Sequence, residues 1–171
     1  MQLYLVDVLE EMIVAWRNAF DGLRGVNVIH GNILDYAEDT IVSPANSYGY
    51  MDGGIDRIYR NHFGMQIERT VQESIKALGQ SYLPVGSSII VQTNDSKIPL
   101  MIVAPTMFLP EPIKPEKCAI AMSAVLAAYE SRSAHIKKVY CPGLGTGIGQ
   151  VNPDDSAREM ANAYKKWLLA N

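Results

Sequence analysis

The sequence predicts an α/β protein of three layers, with helices on both faces of a central mixed, mostly parallel sheet. Three observations predict it. Short apolar runs alternate along the chain with segments of helical periodicity. The strand-like runs are continuously apolar rather than alternating, as in a sheet buried on both faces. No internal repeat, low-complexity stretch or linker interrupts the pattern, so residues 1–171 read as one domain.

The elements follow in order. Residues 3–6 (LYLV) read as the first strand, and Leu9, Met12, Ile13, Trp16 and Phe20 recur at helical spacing across 8–21. Residues 26–29 make the second strand and 40–42 the third. A helix across 54–63 stops at Gly64, and another across 65–78 stops at Gly79. Residues 88–92 and 100–104 are short buried strands joined through Thr93-Asn94-Asp95-Ser96-Lys97, a turn-rich hairpin connection. A strongly helical stretch, 114–132, precedes a strand at 138–141. The last helix, 153–169, opens Asn152-Pro153-Asp154-Asp155, with an N-cap residue, proline at the first helical position and acids in the first turn. The proline-rich stretch 105–112 follows a strand and reads as the rim of a cleft.

Composition narrows the function. In 171 residues, 48% hydrophobic and 19% charged content is that of a globular protein with a sizeable core. A net charge of −3, with Lys137-Lys138 as the longest basic cluster, argues against a general nucleic-acid or membrane-surface binder. The first residues, Met1-Gln2-Leu3-Tyr4-Leu5-Val6-Asp7, have no basic start and lead into no long apolar segment, which predicts a cytoplasmic protein without a membrane span. Cys118 and Cys141 fit reduced core thiols better than a disulfide framework. His30, His62 and His135 show no metal-ligand spacing, so no metal site and no cofactor are predicted.

Chemistry concentrates in two segments. The apolar run Val139-Tyr140-Cys141 opens into Pro142-Gly143-Leu144-Gly145-Thr146-Gly147-Ile148-Gly149, four glycines in seven residues ahead of a capped helix. Strand, glycine loop and helix N-terminus is an arrangement that holds phosphate through backbone N–H groups. The second segment, Ile41-Val42-Ser43-Pro44-Ala45-Asn46, is a buried strand ending in an amide, followed by a glycine-bearing loop that reaches Asp56 ten residues after Asn46. Neither loop has the Gly-Lys-Ser/Thr of a nucleotide triphosphatase or the dinucleotide-binding spacing, which argues against an ATPase. Both lie beyond carboxyl ends of strands, where open α/β sheets bind ligands.

Together these segments resemble the macro-domain family, whose members bind ADP-ribose, and within it the bacterial and phage tail-type branch. Val28-Ile29-His30-Gly31-Asn32-Ile33 looks like the family's Gly-Asp-Ile segment, which places Asn32 and Ile33 at the adenine. Residues 41–46 look like its Asn-Ala-Ala-Asn strand. Gly53, Gly54, Ile55 and Asp56 look like the end of its first loop, and Gly143, Gly145, Thr146, Gly147, Ile148 and Gly149 like its diphosphate loop. The chain departs from the family in four places. Asn32 replaces an aspartate; Met51-Asp52 interrupts the first glycine run, near the distal ribose; Arg60 replaces a histidine of many hydrolytic members; and no aromatic residue follows Gly147. Tyr48, Tyr50 or Phe108 can supply that ring from another loop.

The resemblance implies that Asp56 holds and polarises an attacking water and that Asn46 grips the ribose hydroxyls. The substrates implied are O-acetyl-ADP-ribose, ADP-ribose 1″-phosphate or mono-ADP-ribosylated protein. Two other readings are a non-catalytic reader of ADP-ribose and a phage-tail assembly module with a vestigial pocket. Arg60, one helical turn past Asp56, either pairs with it and lowers its pKa or is a solvated surface arginine.

Overall fold

The computed structural model describes residues 1–171. Six strands form one sheet: β1 (Gln2–Asp7), β2 (Val26–His30), β3 (Thr40–Ser43), β4 (Ile89–Gln92), β5 (Leu100–Val103) and β6 (Lys138–Cys141). Their spatial order is β2-β1-β6-β3-β5-β4. Every pairing is parallel except β4 with β5, where Ile89 faces Val103 and Gln92 faces Leu100. The Thr93–Lys97 connection is what permits that antiparallel edge, because parallel neighbours need a longer crossover.

Alternation along the strands sorts side chains between two cores. Leu3, Leu5, Val42, Ile102, Val139 and Cys141 point to one face, where α1 (Glu10–Ala19), α5 (Glu116–Ser131) and α6 (Pro153–Ala170) pack. Val6, Ile41, Met101, Val103 and Tyr140 point to the other, covered by α3 (Gly54–Phe63) and α4 (Gln66–Ala77). On that second face Tyr4 stacks on Tyr140 at 4.5 Å. Helices therefore cover both faces, as the continuous apolar strands predict. Alanines 121, 124 and 128 of α5 and 157 and 161 of α6 are buried in the first core, where small side chains let helices approach closely.

Asn152 caps α6 as expected, its side-chain oxygen accepting from the Asp154 N–H at 2.9 Å. Both cysteines are buried and unpaired. One element is additional to the sequence reading: a single helical turn, α2 (Ile33–Tyr36), follows β2. Asn32 is its N-cap, accepting from the Leu34 N–H at 3.1 Å. No helix is long and apolar enough to cross a membrane.

Candidate functional site

The carboxyl ends of β1, β6, β3 and β5 open on a cleft of about 290 Å³. Its floor and walls come from four places: Asp7 at the end of β1 with Val8 and Leu9; Pro142 to Gly149 after β6, Leu144 excepted; Pro44, Asn46 and the 50–58 region after β3; and Thr106, Met107 and Pro110 after β5. No cluster of three or more His, Cys, Asp or Glu side chains is placed to hold a metal.

The glycines after β6 serve different needs. Gly145 alone takes a left-handed backbone (φ +73°), and a Cβ there would lie 2.9 Å from the Cys118 sulfur and 3.0 Å from Ile113. A Cβ on Gly149 would meet the Gly145 carbonyl oxygen at 2.7 Å, and one on Gly143 would meet the Thr146 hydroxyl at 2.6 Å. Gly147 is different: nothing lies within 4 Å of its Cβ position, and it lines the cleft. Gly145 and Gly149 are thus required by the protein's own packing, a side chain at Gly143 would make Thr146 and Asp7 shift, and Gly147 faces open space in the cleft. Backbone bonds from Val151 N–H to Gly145 O and from Ile113 N–H to Gly149 O, both 2.9 Å, pin the loop. Asp7 holds its start by accepting from the Gly143 N–H at 3.2 Å.

The loop after β3 is organised by Asn46. Its side-chain oxygen accepts from the N–H groups of Tyr48 at 3.1 Å and Tyr50 at 3.3 Å, and its amide nitrogen donates to the Tyr50 carbonyl at 2.9 Å. One amide hydrogen of Asn46 remains for a ligand. Asp56, in the first turn of α3, is only 6% exposed but lines the cleft. Ser43 donates to it at 2.7 Å. Burial pushes the Asp56 carboxyl up to about 7, against the smaller opposing pull of the Ser43 hydroxyl.

Arg60 does not pair with Asp56. It reaches Glu68 of α4 at 3.3 Å, and the same Glu68 oxygen accepts from the Met51 N–H at 2.5 Å. The pKa-lowering contact expected from helical spacing is therefore absent, and Asp56 is shifted upward instead. Met51 is also displaced from the expected position near a ligand: it is buried in the second core, while Asp52 lines the cleft. Ile148 crosses from the β6 loop to the β3 loop, its Cδ1 lying 3.1 Å from where a Gly53 Cβ would be.

Of the residues singled out in the sequence, Asn46, Gly53, Gly54, Ile55, Asp56, Gly143, Gly145, Thr146, Gly147, Ile148 and Gly149 converge on this cleft. Asn32, Ile33 and Phe108 are not among its lining residues. Ile33 is buried in the second core, and Asn32 spends an acceptor on its own helix. Of the three candidate rings, Tyr50 lines the cleft, whereas Tyr48 and Phe108 lie outside its lining. Sequence reasoning missed Asp7, Ser43 and Glu68. Asp7 and Ser43 carried one usable signal, a polar residue closing an apolar strand. Glu68 carried none.

The Macro domain family model matches residues 42–160. The chain belongs to the macro-domain family. An uncharacterised protein of Aquifex aeolicus (strain VF5) is 34% identical over 143 residues, covering 83% of this chain and 82% of its own length. Among solved structures, the macrodomain of Mycobacterium tuberculosis DarG superposes with a TM-score of 0.68 at 19% identity, covering 81% of this chain and 89% of that one. The Oceanobacillus iheyensis macrodomain with ADP gives a TM-score of 0.70 at 20% identity, covering 82% and 75%. A point mutant of the same macrodomain with ADPR gives 0.70 at 19%, covering 82% and 76%. At these identities the structural likeness speaks for the macro-domain fold, which the sheet and its covering helices share.

Proposed function

We propose that the protein binds ADP-ribose in this cleft and hydrolyses an ADP-ribose derivative: O-acetyl-ADP-ribose, ADP-ribose 1″-phosphate or a mono-ADP-ribosylated protein. The observation that carries the reading is Asp56, a buried carboxylate held near neutrality on the same cleft as the glycine loop. Binding is supported by the family and by the Oceanobacillus relative carrying ADPR. The diphosphate lies against the amides from Gly143 to Gly149, which need no cation to receive an anion. The distal ribose lies between Asn46 and Asp56, with the free Asn46 amide hydrogen donating to a ribose hydroxyl. Asp56 accepts a proton from water as the water adds to the anomeric carbon of a phosphate- or protein-linked ADP-ribose, whose bond to the phosphate or side-chain oxygen breaks with its electron pair on that oxygen. In O-acetyl-ADP-ribose the water adds to the acyl carbon instead, and the acyl bond to the ribose oxygen breaks with its pair on the ribose oxygen, which takes up the proton. A base titrating near working pH combines a large ionised fraction with useful basicity. Asn32 and Ile33 are assigned to the adenine end, and the protein to the cytoplasm.

A second reading, a reader without turnover, is favoured by one observation: most of the Asn46 amide is spent on its own loop, leaving a single donor for substrate. One experiment separates the two. ADP-ribose, ATP, NAD and AMP are titrated into the protein, and turnover of O-acetyl-ADP-ribose and of ADP-ribosylated protein is followed for the parent and Asp56→Ala. The hydrolase reading expects ADP-ribose to bind best and Asp56→Ala to lose about a hundredfold in rate, as for removal of a positioned base, with binding little changed. Binding without parent turnover selects the reader. A parent that does not distinguish ADP-ribose from AMP sinks both.

A further inference from the structure

Beyond the Asp56 end of the cleft the surface carries four aromatic rings in mutual contact. Tyr48 sits at the centre, 6.1 Å from Tyr50, 6.1 Å from Tyr82 and 5.2 Å from Phe108, and Tyr82 meets Phe108 edge-on at 5.2 Å. Tyr50, Tyr82 and Phe108 are 49%, 41% and 43% exposed. Three separate segments supply the rings, and Ser47 ties them together: its N–H donates to Met107 O at 2.9 Å, and its carbonyl accepts from the Leu83 N–H at 2.8 Å. A contiguous, braced aromatic patch left in water on a folded chain marks an interaction site.

The strand order says which part of a ligand it meets. The glycine loop follows β6, Asn46 and Asp56 stand at the neighbouring β3, and Phe108 follows β5, the next strand outward. With the diphosphate on the glycine loop and the distal ribose at Asp56, whatever is attached to that ribose leaves the cleft across these rings. Tyr50 belongs to both, lining the cleft and touching Tyr48. Charge then selects the class of the attached group. Residues 46–52, 80–85 and 106–112 contain no lysine or arginine and carry Asp52 and Glu111. A nucleic-acid backbone would find no counter-charge among them. A cation finds exposed ring faces there, with Asp52 on the adjoining cleft wall.

We propose that the rim formed by Tyr48, Tyr82 and Phe108 is the acceptor site, and that it docks a basic peptide segment, with arginine or lysine beside the ADP-ribosylated side chain. The inference rests on the ADP-ribose reading of the cleft and adds the partner. Its test is calorimetric binding of four ligands to the full chain: free ADP-ribose, a peptide carrying ADP-ribose through a non-hydrolysable linkage with flanking arginines, the same peptide with flanking glutamates, and a single-stranded oligonucleotide so modified. The parent is expected to bind the arginine peptide about tenfold more tightly than free ADP-ribose, the scale of cation–ring contacts partly removed from water. The glutamate peptide should show no such gain. Phe108→Ala and Tyr82→Ala should abolish the gain and leave free ADP-ribose affinity unchanged, while Phe108→Tyr keeps both. Equal affinity for the arginine peptide and free ADP-ribose overturns the proposal, as does a larger gain for the oligonucleotide. Variants that weaken free ADP-ribose equally would return the rings to the ADP-ribose pocket and also overturn it. A parent that binds no free ADP-ribose removes the cleft reading first, and this inference with it.

Discussion

The two loops that face each other across the cleft are both rich in glycine, yet they are held by opposite means. The loop after β6 is fixed by close packing and backbone hydrogen bonds: Cys118, Ile113 and Val151 fill the space where a Gly145 side chain would go. The loop after β3 is fixed by polar side chains, with Asn46 inside it and the Arg60–Glu68 pair behind Met51. Packing is indifferent to pH and salt, whereas partly exposed charge pairs are screened and titrate. One side of the cleft is therefore held by packing, and the other by polar groups that respond to pH and salt; under the proposed function the first would receive the diphosphate and the second carry the chemistry.

The largest expected effect tests where pH dependence resides. Asp56 is buried with its carboxyl raised from 3.8 to about 7, so the folded state holds a proton that the unfolded state has released between those values. Stability contributed by this group is greatest below about pH 4 and falls as pH rises to about 7, beyond which it is flat. Asp56→Asn removes the penalty while leaving Ser43 an acceptor. It should stabilise the fold at pH 8 by on the order of 4 kcal/mol, and hardly at all at pH 4, in denaturant titrations at both pH values. It should also lower turnover by about a hundredfold. An unchanged stability at pH 8 would show that Asp56 is not the strained side of the cleft.

The next effect contrasts two glycines in the rigid loop. Gly145→Val places branched carbons against the Cys118 sulfur in a left-handed backbone and should destabilise the fold by about 3 kcal/mol. Gly147→Val, with open space at its Cβ position, should leave the melting temperature unchanged and weaken ADP-ribose by about 2 kcal/mol. If both variants melt early, the loop is not divided between packing and ligand. Glu68→Ala should cost about 1–2 kcal/mol by orphaning the Met51 N–H and Arg60. The measured loss is expected to shrink in high salt, unlike that of Gly145→Val. The smallest effect is Ser43→Ala. Losing a donor to the ionised carboxylate raises the Asp56 pKa further, so the acid limb of the rate profile should move to higher pH with the substrate KM unchanged.

Much of the fold was legible because local rules and tertiary packing agree. The helix Gly54–Phe63 and its stop at Gly64 match residue for residue, since apolar spacing and a left-handed glycine both mark its end. The turn α2 escaped because four residues are too short to show a period, and its N-cap, Asn32, is placed at the adenine by family resemblance rather than by any local cap pattern. In the site, both glycine loops and the Asn46–Asp56 spacing were legible. The braces were not. Asp7 and Gly143 lie 136 positions apart, and only the pairing of β1 with β6 brings them together. Arg60 sits four residues past Asp56, but Asp56 points to Ser43, and the arginine finds a glutamate on the next helix. Spacing along one helix gave the right reach and the wrong partner.

Ile148 reaches from the β6 loop to beside Gly53 of the β3 loop, so one apolar side chain bridges the two sides of the cleft. With a diphosphate beneath that contact, as in the proposed binding mode, movement of the isoleucine or of the β3 loop would ease its departure. Residence time would then depend on this side chain as well as on the contacts below it. Ile148→Ala should shorten the lifetime of a bound ADP-ribose by speeding arrival and departure together, and an enzyme limited by product release would turn over faster for having lost a contact.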